Sequence, residues 1–307
     1  MTGGAGFIGA HTVRELLSRG IQVRVLDNFM TGSRANLKEF EKGIELIEGD
    51  IRDARDVRRA LRGVEAVFHL AAIRSVMKSV ENPFLAHDVN ATGTLRLLDE
   101  AARRRVKHFI LTSTSAVYGA AAARAQKEEG RLSPISPYGS AKLAAEDYAR
   151  CYFLEKNLPT TIFRIFNVYG PRQNPESRYS LVIPGVLSKI YRGRRPVIDG
   201  SGAQARDFIF IGDVLEAFMK ALGNKRAFGK VYNLGSGRAA SINELVSLLL
   251  KITGSSLKPV HGPRRAGDPD RTCADMRHIR KDLGWKPKVA LRRGLEETVA
   301  WAKRRES

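Results

Sequence analysis

Tyr138 and Lys142 stand four residues apart in Ser136-Pro137-Tyr138-Gly139-Ser140-Ala141-Lys142, a stretch that reads as the start of a helix. On a helix they share one face, with Cβ atoms about 5–6 Å from each other. A tyrosine hydroxyl has a pKa near ~10 and is a poor base. An ammonium one turn away favours the phenolate, and a phenolate poised near neutrality takes a proton from a sugar or alcohol hydroxyl. The same pair would also serve as a half-buried aromatic beside a solvated surface charge. The residues upstream decide between these readings.

Thr112-Ser113-Thr114-Ser115 closes a strand that begins near Lys107, with Val117-Tyr118-Gly119 beyond. Hydroxyls at the carboxyl end of a strand lie where open α/β sheets bind ligands, although an isolated run of this kind is usually turn chemistry. At the start of the chain, Gly3, Gly6 and Gly9 form G-x-x-G-x-x-G running into a helix whose apolar face carries Val13, Leu16 and Leu17. Glycines there permit a tight turn and close backbone approach to a pyrophosphate at the helix N-terminus. The next strand, Gln22 to Leu26, ends at Asp27. An acid at that point bonds both hydroxyls of an adenosine ribose and repels a 2′-phosphate, which favours NAD over NADP. Asp27 read as a capping residue, and Arg34 as a phosphate partner, are the competing views.

The positioning elements follow in order. Ile44–Glu48 is a third strand; after it Asp50 could meet an adenine amino group and Asp53 looks like a helix N-cap. Ala66–Leu70 is a fourth strand opening into Ala71 and Ala72, small enough for a cofactor to approach the backbone; His69 reads as a strand-end core residue. Asp88 to Arg105 has helical periodicity, with Asn90 either bracing a neighbouring loop or exposed. Residues 120 to 133 lack a period and read as a surface loop. The helix from Tyr138 runs to about Glu155, and Thr160–Phe166 is a sixth strand. Strand–helix alternation predicts an α/β fold with a doubly wound parallel sheet over 1–166, rejoined by 207–235. A smaller lobe is expected from 167–206 and 236–307.

Bulk properties set limits. With 307 residues and 43% hydrophobic content the chain can fill a core. No apolar run is long enough to span a bilayer, and no leader precedes the glycines, so no membrane is expected. Cys151 and Cys273 form no paired framework, which fits a reducing cytoplasm. A net charge of +20 allows nucleic acid or anionic substrates as partners. The basic residues are dispersed, without zinc-ligand spacing, so a solvated basic surface is the preferred reading; neither nucleic acid nor a bound metal is expected.

Gly3/Gly6/Gly9, Asp27, Gly49-Asp50-Ile51, His69-Leu70-Ala71-Ala72, Asn90 with Gly93-Thr94, Ser113-Thr114, Tyr138/Lys142 and Arg164-Ile165-Phe166-Asn167 occur together and in order. As a set they resemble the extended short-chain dehydrogenase/reductase family, and within it the NAD-dependent nucleotide-sugar epimerases of the UDP-glucose 4-epimerase type. The resemblance covers essentially the whole chain. It implies a Rossmann domain and a homodimer. It implies that Gly3, Gly6, Phe7, Ile8, Gly9, Asp27, Asn28, Asp50, Ile51, Leu70, Ala71, Ala72, Asn90, Thr112, Tyr138 and Lys142 hold NAD, with Phe166 at the nicotinamide. Thr114 would bond the sugar 4-oxygen, with Tyr138 as acid/base. Asn167, Val182, Arg206, Arg265 and Asp268 would hold a UDP-sugar, the two arginines on its phosphates, and Thr272 would gate the sugar's C2 substituent.

Two departures shape the expectation. Relatives carry a full first strand before their Thr-Gly-Gly, whereas Met1 takes the place of that strand's last residue. A start read too late, from an internal valine codon, is expected; a weakened cofactor site is the alternative. Nucleotide-sugar 4,6-dehydratases carry Asp-Glu after the catalytic threonine, where this chain has Ser115 and Ala116. That argues against dehydration. UDP-glucuronate epimerisation or decarboxylation, and a non-catalytic NAD-bound scaffold or nucleic-acid binder, are the remaining rivals.

Overall fold

The computed structural model describes residues 1–120, 125–173, 182–264 and 268–306. The chain alternates α1 (Phe7–Ser18), β1 (Val23–Asp27), β2 (Ile44–Glu48), α2 (Ala54–Ala60), β3 (Ala66–His69), α3 (Val76–Glu81), α4 (Pro83–His87), α5 (Gly93–Arg103), β4 (His108–Thr114), α6 (Pro137–Lys156) and β5 (Thr160–Ile165). It continues through β6 (Asn167–Tyr169), α7 (Val182–Tyr191), β7 (Val197–Asp199), β8 (Ala205–Phe210), α8 (Ile211–Ala221), β9 (Lys230–Leu234), β10 (Ala239–Ser241), α9 (Ile242–Thr253), β11 (Val260–Gly262), α10 (Arg277–Leu283) and α11 (Leu291–Glu306).

β3-β4-β5-β9 form a parallel sheet, and β1 pairs in parallel with β2. Thr2 joins the two groups by parallel bridges to Leu26 and His69. Its N–H donates to the Phe68 carbonyl and its own carbonyl accepts from Leu70 N–H. The order is therefore β2-β1-Thr2-β3-β4-β5-β9, with the chain start folded into the middle of the sheet. The Met1 ammonium donates to the Arg24 carbonyl at 2.6 Å. Burial, then the Arg24 charge, pull its pKa down to about 5.

β4 and β5 are buried on both faces, as central parallel strands covered by helices must be. The strand period sorts their side chains. Phe109, Leu111 and Ile162 pack with Val57, Leu97, Leu98 and Ala145 on one side. Ile110 and Phe163 pack with Val13, Leu16, Val214 and Phe218 on the other. Helices on both faces make this a doubly wound Rossmann sheet.

A separate three-stranded sheet is built on β8, which pairs in parallel with β6 and antiparallel with β10. Thus 205–210 lie in the small sheet, while α8 and β9 belong to the large one. Among the described residues no helix is long and apolar enough to cross a membrane.

Candidate active site

The glycine loop turns where Gly3 takes φ +72°, and a Cβ there would come within 2.5 Å of the Ala71 nitrogen. Gly9 packs equally closely, since a Cβ would reach 2.1 Å from the Gly3 carbonyl oxygen. Gly6 differs: the one atom near its Cβ position is the Gly3 oxygen at 3.3 Å, so its other side is open. Gly6 also caps α1, and neither a side-chain cap nor an acid occupies the first turn. The N–H groups of Phe7 and Ile8 are left for an anion. The residues present therefore fit the pyrophosphate of a dinucleotide.

Asp27 ends β1, as expected, nearly buried. Its two carboxylate oxygens accept from Ala5 N–H and Phe29 N–H, both at 2.8 Å. Burial raises its pKa against those two bonds. The carboxylate braces the glycine loop and retains lone pairs for ribose hydroxyls. Asp50 accepts from the Arg52 guanidinium and from Asn28 Nδ2, and its pKa falls to about 2, first through Arg52. Asp53 caps α2 by accepting from Arg55 N–H at 2.7 Å.

His69 is fully buried, with Thr2 Oγ1 at 2.7 Å on Nδ1 and Thr94 Oγ1 at 2.8 Å on Nε2. Burial holds its pKa well below the usual imidazole range, and it is a core residue as read. Asn90 is a brace: Oδ1 accepts from Ile73 N–H at 2.9 Å and Nδ2 donates to the Ile73 carbonyl at 3.0 Å. It does so from a π-turn over Asp88–Thr92, where the sequence reads as ordinary helix. The clamp fixes the loop that leaves β3 through Leu70, Ala71 and Ala72 and carries Arg74. Ile51 is buried against the base of this region, and its side chain lies against Gly93.

On β4, Thr112 donates to the His69 carbonyl at 2.9 Å and Ser113 donates to Glu146. Thr114 accepts from Ala116 N–H at 3.2 Å, and its side chain lies beside the Tyr138 phenol and acts on it. Tyr138 enters α6 with its N–H on Ser79 Oγ at 3.1 Å, and Ser136 caps that helix. Burial raises the Tyr138 pKa, opposed by Thr114 and then by the Arg74 charge. Lys142 is 2% exposed; burial lowers its pKa to about 8, opposed by Glu146 one turn further along.

Phe166 is buried next to Tyr118, ring centroids 6.4 Å apart. Across the cleft, Asn167 donates from Nδ2 to the Asp207 carbonyl at 3.1 Å, and Val182 opens α7 half-buried. Arg206 pairs with Asp268 at 2.5 Å and is otherwise held by the Ala205 carbonyl. The two are therefore joined to each other. Arg265 lies outside the described residues. Thr272 donates its N–H to the Ala205 carbonyl, and its buried hydroxyl finds no partner among the described residues.

Three residues behind the site carry no sequence signal. Asp207 accepts from Ser236 N–H and Oγ, Gly237 N–H and Ala274 N–H. Gln126, in the stretch read as surface loop, is 3% exposed and bonds both ways with Cys273. Asn233 on β9 accepts from Tyr118 and donates to the Gln126 carbonyl.

The family description GDP-mannose 4,6 dehydratase matches residues 1–298. The chain belongs to this family of extended short-chain dehydrogenases. It is 36% identical over 305 residues to a UDP-glucose 4-epimerase of Mycolicibacterium smegmatis, covering 97% of this chain and 96% of that one. A solved UDP-glucose 4-epimerase from Thermotoga maritima, with UDP-glucose, superposes with a TM-score of 0.95 at 36% identity, over 100% of this chain and 98% of that one. A dTDP-glucose 4,6-dehydratase from Streptomyces venezuelae with NAD bound gives 0.91 at 33% identity, over 99% and 96%. Family members thus include epimerases and dehydratases, and their structures hold NAD.

Proposed function

We propose that this chain is an NAD-dependent C4 epimerase of a UDP-sugar, acting on UDP-glucose and UDP-galactose and also on the N-acetyl pair. The observation that carries this reading is the placing of Thr114 beside the Tyr138 phenol at the end of β4, followed by Ser115 and Ala116 in the turn. Elimination of water from C5 and C6 needs an acid and a base beyond the 4-hydroxyl couple. A serine and an alanine supply neither, so removal and return of hydrogen at C4 is the chemistry these side chains support.

NAD supplies the reversible hydride acceptor when bound. The first turn of α1 receives its pyrophosphate, Asp27 its adenosine ribose, and Lys142 its other ribose. Thr114 and Tyr138 share the sugar 4-hydroxyl: Tyr138 takes the proton as C4 is oxidised and returns it when the turned 4-keto sugar is reduced. Arg206, freed from Asp268, grips the diphosphate as a planar fork. Thr272 leaves room beside the sugar for an acetamido group.

Val76, Met77, Val80 and Phe84 are exposed on the consecutive helices α3 and α4, which supports the homodimer as the working form. Two cysteines outside any disulfide support a reducing cytoplasm, where galactose metabolism would employ the enzyme. Incubation with a panel of UDP- and dTDP-sugars, followed by NMR of the products, tests the reading. The C4 epimer is expected, with no 4-keto-6-deoxy sugar; a dehydrated product, or none from any UDP-hexose, overturns it.

A further inference from the structure

α6 carries a third charged or catalytic side chain on the face of Tyr138 and Lys142: Glu146, at the same four-residue step. It is 1% exposed. Arg164 on β5, 3% exposed, grips it with Nε at 3.1 and 3.0 Å from the two carboxylate oxygens and a terminal nitrogen at 2.7 Å. The other terminal nitrogen donates to Tyr118 Oη at 3.0 Å and to the Glu128 carbonyl at 2.9 Å, so the guanidinium is held from both ends. Glu146 also accepts from Ser113, the residue before Thr114.

A buried ion pair is a poor source of net stability, because apolar residues of equal volume hold a core as well. What apolar residues lack is charge beside Lys142 and a grip on Ser113. We propose that Glu146, paired with Arg164, is a positioning residue that keeps Lys142 a cation against the cofactor and fixes the strand end carrying Thr114. This rests on the reading of Lys142 as a holder of the NAD ribose.

Of the other titratable groups in this region, Tyr138 shares the helix, buried neutral His69 on β3 feels the Lys142 charge, Arg74 on the loop after β3 acts on Tyr138, and Tyr118 after β4 is engaged by Arg164. Asp99 on α5 is turned to Tyr152 farther along α6. Among the described residues Glu146 is the acid acting on Lys142, and burial lowers the ammonium to about 8, within reach of a binding assay.

The test is NADH binding by fluorescence between pH 6 and 9.5. In the parent, affinity should fall as pH passes about 8. Glu146→Gln removes the anion and leaves Arg164 uncompensated; both act to deprotonate Lys142, so the midpoint should move down by about one unit. Arg164→Met leaves Glu146 to Lys142 alone, and the midpoint should move up. The double variant should return towards the parent. A purely structural pair predicts shifts of one sign, with the double variant worst. Should Glu146→Gln not fold, the upward shift of Arg164→Met still decides. Midpoints that do not move, or that move together, overturn the proposal. A parent that binds no NADH at any pH overturns instead the underlying reading of the cofactor site.

Discussion

Thr272→Val is the substitution that most directly separates readiness for a ligand from ordinary packing. The Thr272 side chain is 8% exposed, and its hydroxyl has no partner among the described residues, while its backbone is tied to Ala205. A buried hydroxyl left unpaired costs about 1–3 kcal/mol, and an apolar group of the same shape removes that cost. Valine should therefore stabilise the ligand-free protein, raising Tm by roughly 2–4 °C per kcal/mol in a chain of this size class. With substrate the sign should reverse. If the hydroxyl meets a polar group of the sugar nucleotide, losing that bond costs about 1 kcal/mol, or about a fivefold rise in KM. The assay is thermal unfolding with and without the UDP-sugar, beside steady-state kinetics on the plain and N-acetyl substrates. A valine variant that unfolds earlier than the parent, or binds sugar as tightly, would refute the argument. Thr272→Tyr extends it: crowding should suppress the N-acetyl reaction more than tenfold relative to the plain one, a clash of ~1.4 kcal/mol.

Further outcomes are expected. Tyr138→Phe should lower kcat by at least ~10²-fold, the scale of general acid–base catalysis, with NADH still bound; turnover within a few-fold of the parent would remove Tyr138 from its role. Asp27→Asn should weaken the preference for NAD over NADP in calorimetric titration, and a parent that prefers NADP contradicts the ribose argument.

The parts of the site legible in the sequence are those whose signal is local. Gly3, Gly6 and Gly9 are spaced for one turn, Asp27 follows at a strand end, and Tyr138 and Lys142 share a helix stripe. Glu146 stands on that same stripe, one further four-residue step along, and is legible in the same local way. Arg164, Gln126, Asp207 and Asn233 were not legible as parts of a network. Each is a single polar residue whose partners lie far along the chain, and neither period nor composition marks such a pairing. Arg74, which opposes the rise of the Tyr138 pKa, is hidden for a related reason: sequence shows the neighbour on the helix, whereas Arg74 arrives on a loop that Asn90 clamps. β8 reads as part of the large sheet because a strand's pattern does not name its partner.

The tether at Asp207 has a kinetic consequence. Its carboxylate collects donors 29, 30 and 67 positions away, and Gln126 collects one 147 positions away. Each such closure is an entropic toll met before the contact rewards it. The glycine loop and Asp27 are 22 positions apart, yet Thr2 beside that loop must also meet His69, 67 positions on. Both halves of the cleft therefore wait on long closures. On dilution from denaturant, capacity to bind NADH and capacity to bind the UDP-sugar should return together, in one slow phase.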